Sequence, residues 1–142
     1  MREILFRAKR DKAYCASQDW TYGVPFIDYE GDCIFKTDTS EFVVDAETVG
    51  QYTGLTDKNG KKIFEGDIFL IEDDMIAVII FHDGCFRLKT YGQIGVFTES
   101  GYDECGGGYG VIECEPIDWY YIHDMQIVGN IHDNPELIKG GE

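Results

Sequence analysis

Residues 2–8 alternate, with Ile4, Phe6 and Ala8 on one side and Glu3 and Arg7 on the other, and only Leu5 breaking the polar face. A period of two predicts a half-buried strand. After a polar turn over residues 9–12, segment 14–27 is rich in aromatics but interrupted by Gly23 and Pro25, which predicts irregular structure or short edge strands. Residues 32–37 and 41–44 are short β-leaning runs, Asp45-Ala46-Glu47 marks a turn, and 48–55 reads as strand again.

The sharpest local signal is Thr56-Asp57-Lys58-Asn59-Gly60-Lys61. There an Asp can cap its own backbone and Asn-Gly supplies the positive φ values of a tight reversal, so a hairpin is expected. Lys61 to Phe64 leads through the bend Glu65-Gly66-Asp67 into the apolar run 68–71, and Glu72-Asp73-Asp74 turns the chain once more. Residues 75–81 form a β-branched apolar run too short for a helix, and His82-Asp83-Gly84 reverses it into 85–90, so three strands meander in succession. Residues 91–114 contain Gly106-Gly107-Gly108 and Gly110 and read as a long loop or a β-excursion. One helical turn is expected over 116–121, a closing strand over 125–131, and a capped turn at Asn134-Pro135-Glu136.

Many short strands, frequent tight turns and little helix predict a single, mainly β domain (α+β at most). Its expected form is a small β-barrel, SH3-like after residue 50. The N-terminal segment 1–50 packs strands on it, the barrel-like part 51–138 carries a glycine-rich insertion at about 92–110, and residues 139–142 fray.

Composition adds compartment and partner. In 142 residues, 9 Phe, 9 Tyr and 2 Trp supply a real core. No run of 18 apolar residues and no signal-peptide core are present, so a spanning or exported protein is not expected. Five cysteines, odd in number and irregularly spaced, predict reduced thiols and a cytoplasmic location. The net charge is −15, unevenly placed. Arg2, Arg7, Lys9, Arg10 and Lys12 against Glu3 and Asp11 leave the first dozen residues at +3 and the other 130 at −18. No Lys or Arg falls between Thr90 and Ile138, where Glu99, Asp103, Glu104, Glu113, Glu115, Asp118 and Asp124 do. Such a stretch repels phosphate backbones and suits a basic protein partner, besides keeping the chain dispersed.

Three blocks carry a family resemblance. They are Met1-Arg2-Glu3-Ile4-Leu5-Phe6-Arg7-Ala8; Gln51-Tyr52-Thr53-Gly54-Leu55-Thr56-Asp57-Lys58-Asn59-Gly60-Lys61-Lys62-Ile63-Phe64-Glu65-Gly66-Asp67-Ile68; and Ile127-Val128-Gly129-Asn130-Ile131-His132-Asp133-Asn134-Pro135-Glu136-Leu137. In this order they resemble the YopX family of phage and prophage proteins. The resemblance implies that genomic context and a mainly β fold, and it assigns no biochemical activity. The stretch from Gly92 to Gly110 looks longer than that family has between its middle and final blocks.

The remaining chemistry is weighed residue by residue. Glu65 and Asp67, two apart, would share a face of a strand, as an acid/base or metal pair requires, but a bend with solvated carboxylates explains them more simply. Glu72, Asp73 and Asp74 lack the spacing of a calcium loop. His82, His123 and His132 each precede an Asp, an arrangement that can orient an imidazole, yet no nucleophile is tied to them by spacing. His82, Cys85, Cys105 and Cys114 lack the paired spacing of a zinc site. Gly106-Gly107-Gly108-Tyr109-Gly110 lacks the Lys-Ser/Thr of a phosphate loop.

The cluster of Arg7, Lys9, Arg10 and Lys12 near Tyr14, Trp20 and Tyr22 could hold a single strand, but its charge is small against the rest, which argues against direct nucleic-acid binding. The expectation is a non-enzymatic protein-binding accessory protein of the host cytoplasm, with no cofactor, no metal and no catalytic residue. Its acidic surface would imitate nucleic-acid phosphate. The alternatives are a homo-oligomeric assembly subunit, with Trp119, Tyr120 and Tyr121 at its interface, or a small-ligand or enzyme site built on the His-Asp pairs.

Overall fold

The computed structural model describes residues 3–72, 75–94, 96–103, 106–107, 109–117 and 122–139. The chain is mainly β, as expected, and divides into two compact units, Met1–Gly54 and Leu55–Glu142. The boundary falls inside a strand, four residues past the division at 50/51 read from the sequence.

In the first unit, β1 (Phe6–Lys9), β2 (Trp20–Ile27), β3 (Cys33–Lys36), β4 (Glu41–Val43) and the start of β5 (Gly50–Thr56) form an antiparallel sheet in the order β4-β3-β2-β1-β5. Residues 14–19 are irregular, as expected, but 20–27 depart from the expectation of irregular structure or short edge strands, because β2 is one eight-residue strand with neighbours on both sides. Staggered pairing absorbs its breakers. β1 covers Trp20 to Gly23 and β3 covers Val24 to Ile27, so Pro25, with no N–H to donate, lies where β2 has one neighbour. At the hand-over, the Lys36 carbonyl oxygen lies 2.5 Å from where a Cβ on Gly23 would stand. Ala8, Cys33, Phe35 and Val44 form the core with Phe6, Phe42 and Val49 around them, and burial pushes the Cys33 thiol pKa up. The turn expected at 45–47 is a 3-10 helix, Ala46–Thr48, capped by the Asp45 carboxylate, which accepts the Glu47 N–H at 3.1 Å.

The second unit begins with the end of β5, which turns into β6 (Lys62–Phe64). Its main sheet is antiparallel, in the order β12-β9-β8-β7-β13, from β7 (Asp67–Glu72), β8 (Met75–His82), β9 (Cys85–Gln93), β12 (Tyr109–Pro116) and β13 (Ile127–Asn130). β10 (Val96–Thr98) and β11 (Gly101–Asp103) form a separate hairpin. The meander β7-β8-β9 is as predicted. It is covered on both faces: Phe69 and Ile79 pack with Ile63, Ile122 and Ile127, while Ile68, Ile76 and Val78 pack against Ile131 and Leu137. This double burial is why 75–81 is a continuous apolar run rather than an alternating one. The expected closure into an SH3-like barrel does not occur, and the sheets are open. β12 and β13 lie at opposite edges with three strands between them, and the segments around β13 cover the faces that curling would otherwise have buried.

One turn ties the ends of this unit together. Asp57 is 4% exposed. Its Oδ1 accepts the N–H groups of Asn59 and Lys61, both at 2.9 Å, and its Oδ2 accepts the N–H of Ile127 at 3.2 Å. The Lys58 N–H donates to the Met125 carbonyl at 2.9 Å. Burial alone would raise the Asp57 pKa, but the Lys61, Ile127 and Asn59 N–H groups and the Lys61 charge outweigh it and hold the carboxyl below its ordinary range. Of the Asn-Gly pair, only Gly60 has positive φ (80°), so the reversal is built on the Asp57 side chain instead of a two-residue turn. At the β8–β9 reversal, Asp83 (φ 50°) and Gly84 (φ 80°) are both left-handed between the paired His82 and Cys85, which is the two-residue hairpin geometry.

Asp57→Asn keeps one acceptor but points an amide N–H at the Ile127 N–H, and is expected to lower unfolding free energy by about 3 kcal/mol in urea titration. Because the folded-state pKa is depressed, the Asp57 contribution is complete above the unfolded value and is lost as pH falls through the folded one. The wild type should therefore lose more stability than Asp57→Asn on acidification below about pH 4. Gly23→Ala drives a methyl group into the Lys36 carbonyl, and should cost about 1–3 kcal/mol by the same titration, with amide exchange accelerated in β2 and β3.

Candidate functional site

The acidic residues singled out in the sequence separate into distinct places. Glu99 lies in the turn of the β10–β11 hairpin and Asp103 ends β11, opposite Val96, both exposed. Glu113 and Glu115 stand two apart on the edge strand β12, and Asp124 is exposed in the turn that leads to Met125. Glu104 and Asp118 lie outside the described residues, as do Asp73, Asp74, Cys105, Trp119, Tyr120, Tyr121 and the tail 140–142.

The segment read as a loop or β-excursion is the excursion. β9 runs on to Gln93, where it still pairs with Tyr109, and the hairpin projects between them. At that base the Gly107 N–H donates to the Ile94 carbonyl at 2.8 Å. On the hairpin, Phe97 and Tyr102 are directly cross-strand, their ring centroids 5.0 Å apart, yet they are 87% and 57% exposed. Aromatic side chains normally bury much of their area, and this pair does not. Val96-Phe97-Thr98 carried no such signal in sequence, because Phe97 lies within the stretch 91–114 that reads only as a loop or a β-excursion.

A cavity of about 360 Å³ opens on one face of the main sheet beside β12. Cross-strand register builds it: Thr90 faces Glu113 and Leu88 faces Glu115, with Met75, Met125, Ile71 and Pro116 around them. The two carboxylates therefore edge an otherwise mostly apolar hollow.

The other expected chemistry resolves into structural roles. Glu65 lies in the β6–β7 turn rather than beside Asp67 on a strand. Asp67, 1% exposed, accepts the Phe64 N–H at 2.8 Å, closing that turn. The three His-Asp pairs sit in three separate turns. His82 and Asp83 form an exposed 3.5 Å pair, His123 and Asp124 are exposed, and the Asp133 carboxylate accepts the Asn130 side-chain N–H at 3.0 Å. Cys85 ends the β8–β9 turn, whereas Cys114 stands opposite Lys89, four positions along β9, so the described members of the Cys/His set are not gathered. The basic N-terminal residues lie over the unit's own rings: Arg7 is 4.6 Å from the Trp20 centroid and Arg10 is 3.9 Å from that of Phe42. One cluster was missed in sequence, Asp28, Glu30 and Asp32, whose carboxylates come within 4.8 Å of one another in the β2–β3 loop. The Asp-x-Glu-x-Asp spacing was its signal. Asp28 Oδ1 already accepts the Glu30 and Asp32 N–H groups, both at 2.9 Å, so the loop's own backbone uses much of what a hard cation would need.

Among the described residues, no helix is long and apolar enough to cross a membrane. No curated protein matches the chain. A family model described as YopX protein matches residues 5–139, nearly the whole chain and all but the first few residues of the three blocks. The chain belongs to the YopX family.

Proposed function

We propose that this protein is a non-enzymatic accessory protein, phage- or prophage-encoded and acting in the host cytoplasm, which binds a basic protein through its acidic second unit. The observation that carries the reading is the β10–β11 hairpin, where an exposed Phe97–Tyr102 pair stands between Glu99 and Asp103. Aromatic anchors inside an acidic rim are the composition of a contact that combines a desolvated centre with charge steering. The second unit holds 17 of the 27 acidic residues and 6 of the 12 cations, so the field around the hairpin favours a basic partner, one that ordinarily meets nucleic-acid phosphate. Family membership suggests the phage or prophage origin. Free thiols at Cys15, Cys33, Cys85 and Cys114 suit a reducing compartment. The dispersal of the His-Asp pairs over separate turns favours binding over catalysis.

The test is capture from host lysate on immobilised protein at about 0.1 M and about 1 M salt, between which the Debye length falls from about 10 Å to about 3 Å. A basic nucleic-acid-binding protein should be retained at low salt and released at high salt. Phe97→Ala, and separately the pair Glu99→Lys and Asp103→Lys, should each weaken retention about tenfold or more. Retention unchanged by salt and by both variants would overturn the reading. Self-association through the same rings is the rival outcome. It would appear as a concentration-dependent dimer in sedimentation, abolished by Phe97→Ala, with no other protein captured.

A further inference from the structure

The pairing of β12 with β9 contains a β-bulge between Val111 and Glu113. Val111 pairs with Tyr91, but Glu113 pairs with Thr90, so Ile112 is the extra residue. Counting on from Val111 without the bulge would set Glu113 opposite Lys89 and Glu115 opposite Arg87, two cross-strand ion pairs of a kind that stabilises sheets. The bulge moves both glutamates to the other face. Cys114 and Pro116 take the positions opposite Lys89 and Arg87, and the carboxylates turn to the cavity with Thr90 and Leu88. Gly92 leaves room for the side chain of Ile112 in this position: a Cβ there would stand 2.5 Å from Ile112 Cδ1 and 3.0 Å from Met75 Cγ. Two glutamates are thus turned from available cations toward a hollow whose other walls are largely aliphatic and thioether.

We infer that this cavity is a binding pocket for an arginine side chain of the partner protein, its aliphatic stem lying against Met75, Leu88 and Met125 and its guanidinium meeting Glu113 and Glu115. The inference rests on the reading that the second unit meets a basic partner, and adds the anchor. Glu113 and Glu115 stand two residues apart on one strand, so their backbone positions are about 7 Å apart along it. A planar guanidinium with five N–H donors engages carboxylates bidentately and is more weakly hydrated than an ammonium, so arginine fits this half-apolar pocket better than lysine. Methionine walls adapt to a flexible stem.

The pocket can be tested without the partner, on the whole protein labelled with ¹³C at the methionine methyl groups. The probes are the capped tripeptides Gly-Arg-Gly, Gly-Lys-Gly and Gly-citrulline-Gly. The arginine peptide should shift the Met75 and Met125 methyl resonances saturably, the lysine peptide should bind several-fold more weakly, and the uncharged citrulline peptide should shift neither. The paired changes Glu113→Gln and Glu115→Gln should weaken arginine binding about tenfold or more. Both side chains are exposed on an edge strand, so the melting temperature and the unliganded methyl spectrum should be kept. Glu99→Gln with Asp103→Asn, which removes the same charge from the hairpin, should leave arginine binding intact. No shift with the arginine peptide, equal shifts with citrulline, or equal losses in the two variants would overturn the pocket. Peptide binding as described, with no basic protein captured from lysate, would overturn the broader reading and leave the pocket standing. Capture that depends on the hairpin, without a peptide effect at Met75 and Met125, would do the reverse.

Discussion

The Asp57 carboxylate is the point on which the second unit closes. Its two oxygens accept backbone N–H groups from its own turn and, 70 residues later, from the first residue of β13. Ile127 both donates this bond and places its side chain in the core with Ile63, Phe69 and Ile79. Hydrophobic burial is non-directional and fixes no register by itself, whereas a buried carboxylate with three defined donors does. The adjoining Lys58–Met125 hydrogen bond carries the same constraint to a wall of the cavity, so the geometry of the candidate pocket depends on a turn far from it in sequence.

The sheet that Asp57 secures presents its acidic residues at two places along one stretch of chain. The hairpin between β9 and β12 places Glu99 and Asp103 around exposed rings, and the bulge in β12 turns Glu113 and Glu115 to the cavity. Both features leave groups facing water that a register chosen for stability alone would have paired or buried. A surface arranged in this way suits the proposed recognition of a basic partner, which the absence of cations between Thr90 and Ile138 would also serve.

Much of the architecture was legible because local chemistry and global fold agree. The Asp83-Gly84 hairpin, the turn at Asp45-Ala46-Glu47 and the apolar run over 75–81 each follow from short-range rules, and the three blocks from residues 1 to 137 identified the family. What escaped depended on pairing. Pro25 reads as a strand breaker until β1 and β3 are seen to cover different halves of β2, and the capping Asp57 gives no sign in sequence that it also reaches Ile127, or that Gly60 alone, without Asn59, takes a positive φ. The barrel failed for the same reason: short strands and turns are common to open and closed sheets, and which edges meet is decided by what covers the faces. In the candidate site, the acidic residues were legible as composition. Their separation into hairpin and cavity was not, because a one-residue bulge at Ile112 has no signature in alternation when Val111 and Ile112 are both apolar.

As proposed, this protein stands in for phosphate on the surface of a basic partner. The direct measurement is competition, with the captured partner held at fixed concentration and duplex DNA titrated against this protein while both complexes are followed by fluorescence anisotropy. Mutually exclusive binding, with each ligand displacing the other, is the predicted result. A ternary complex that holds DNA and this protein together at full affinity would contradict it.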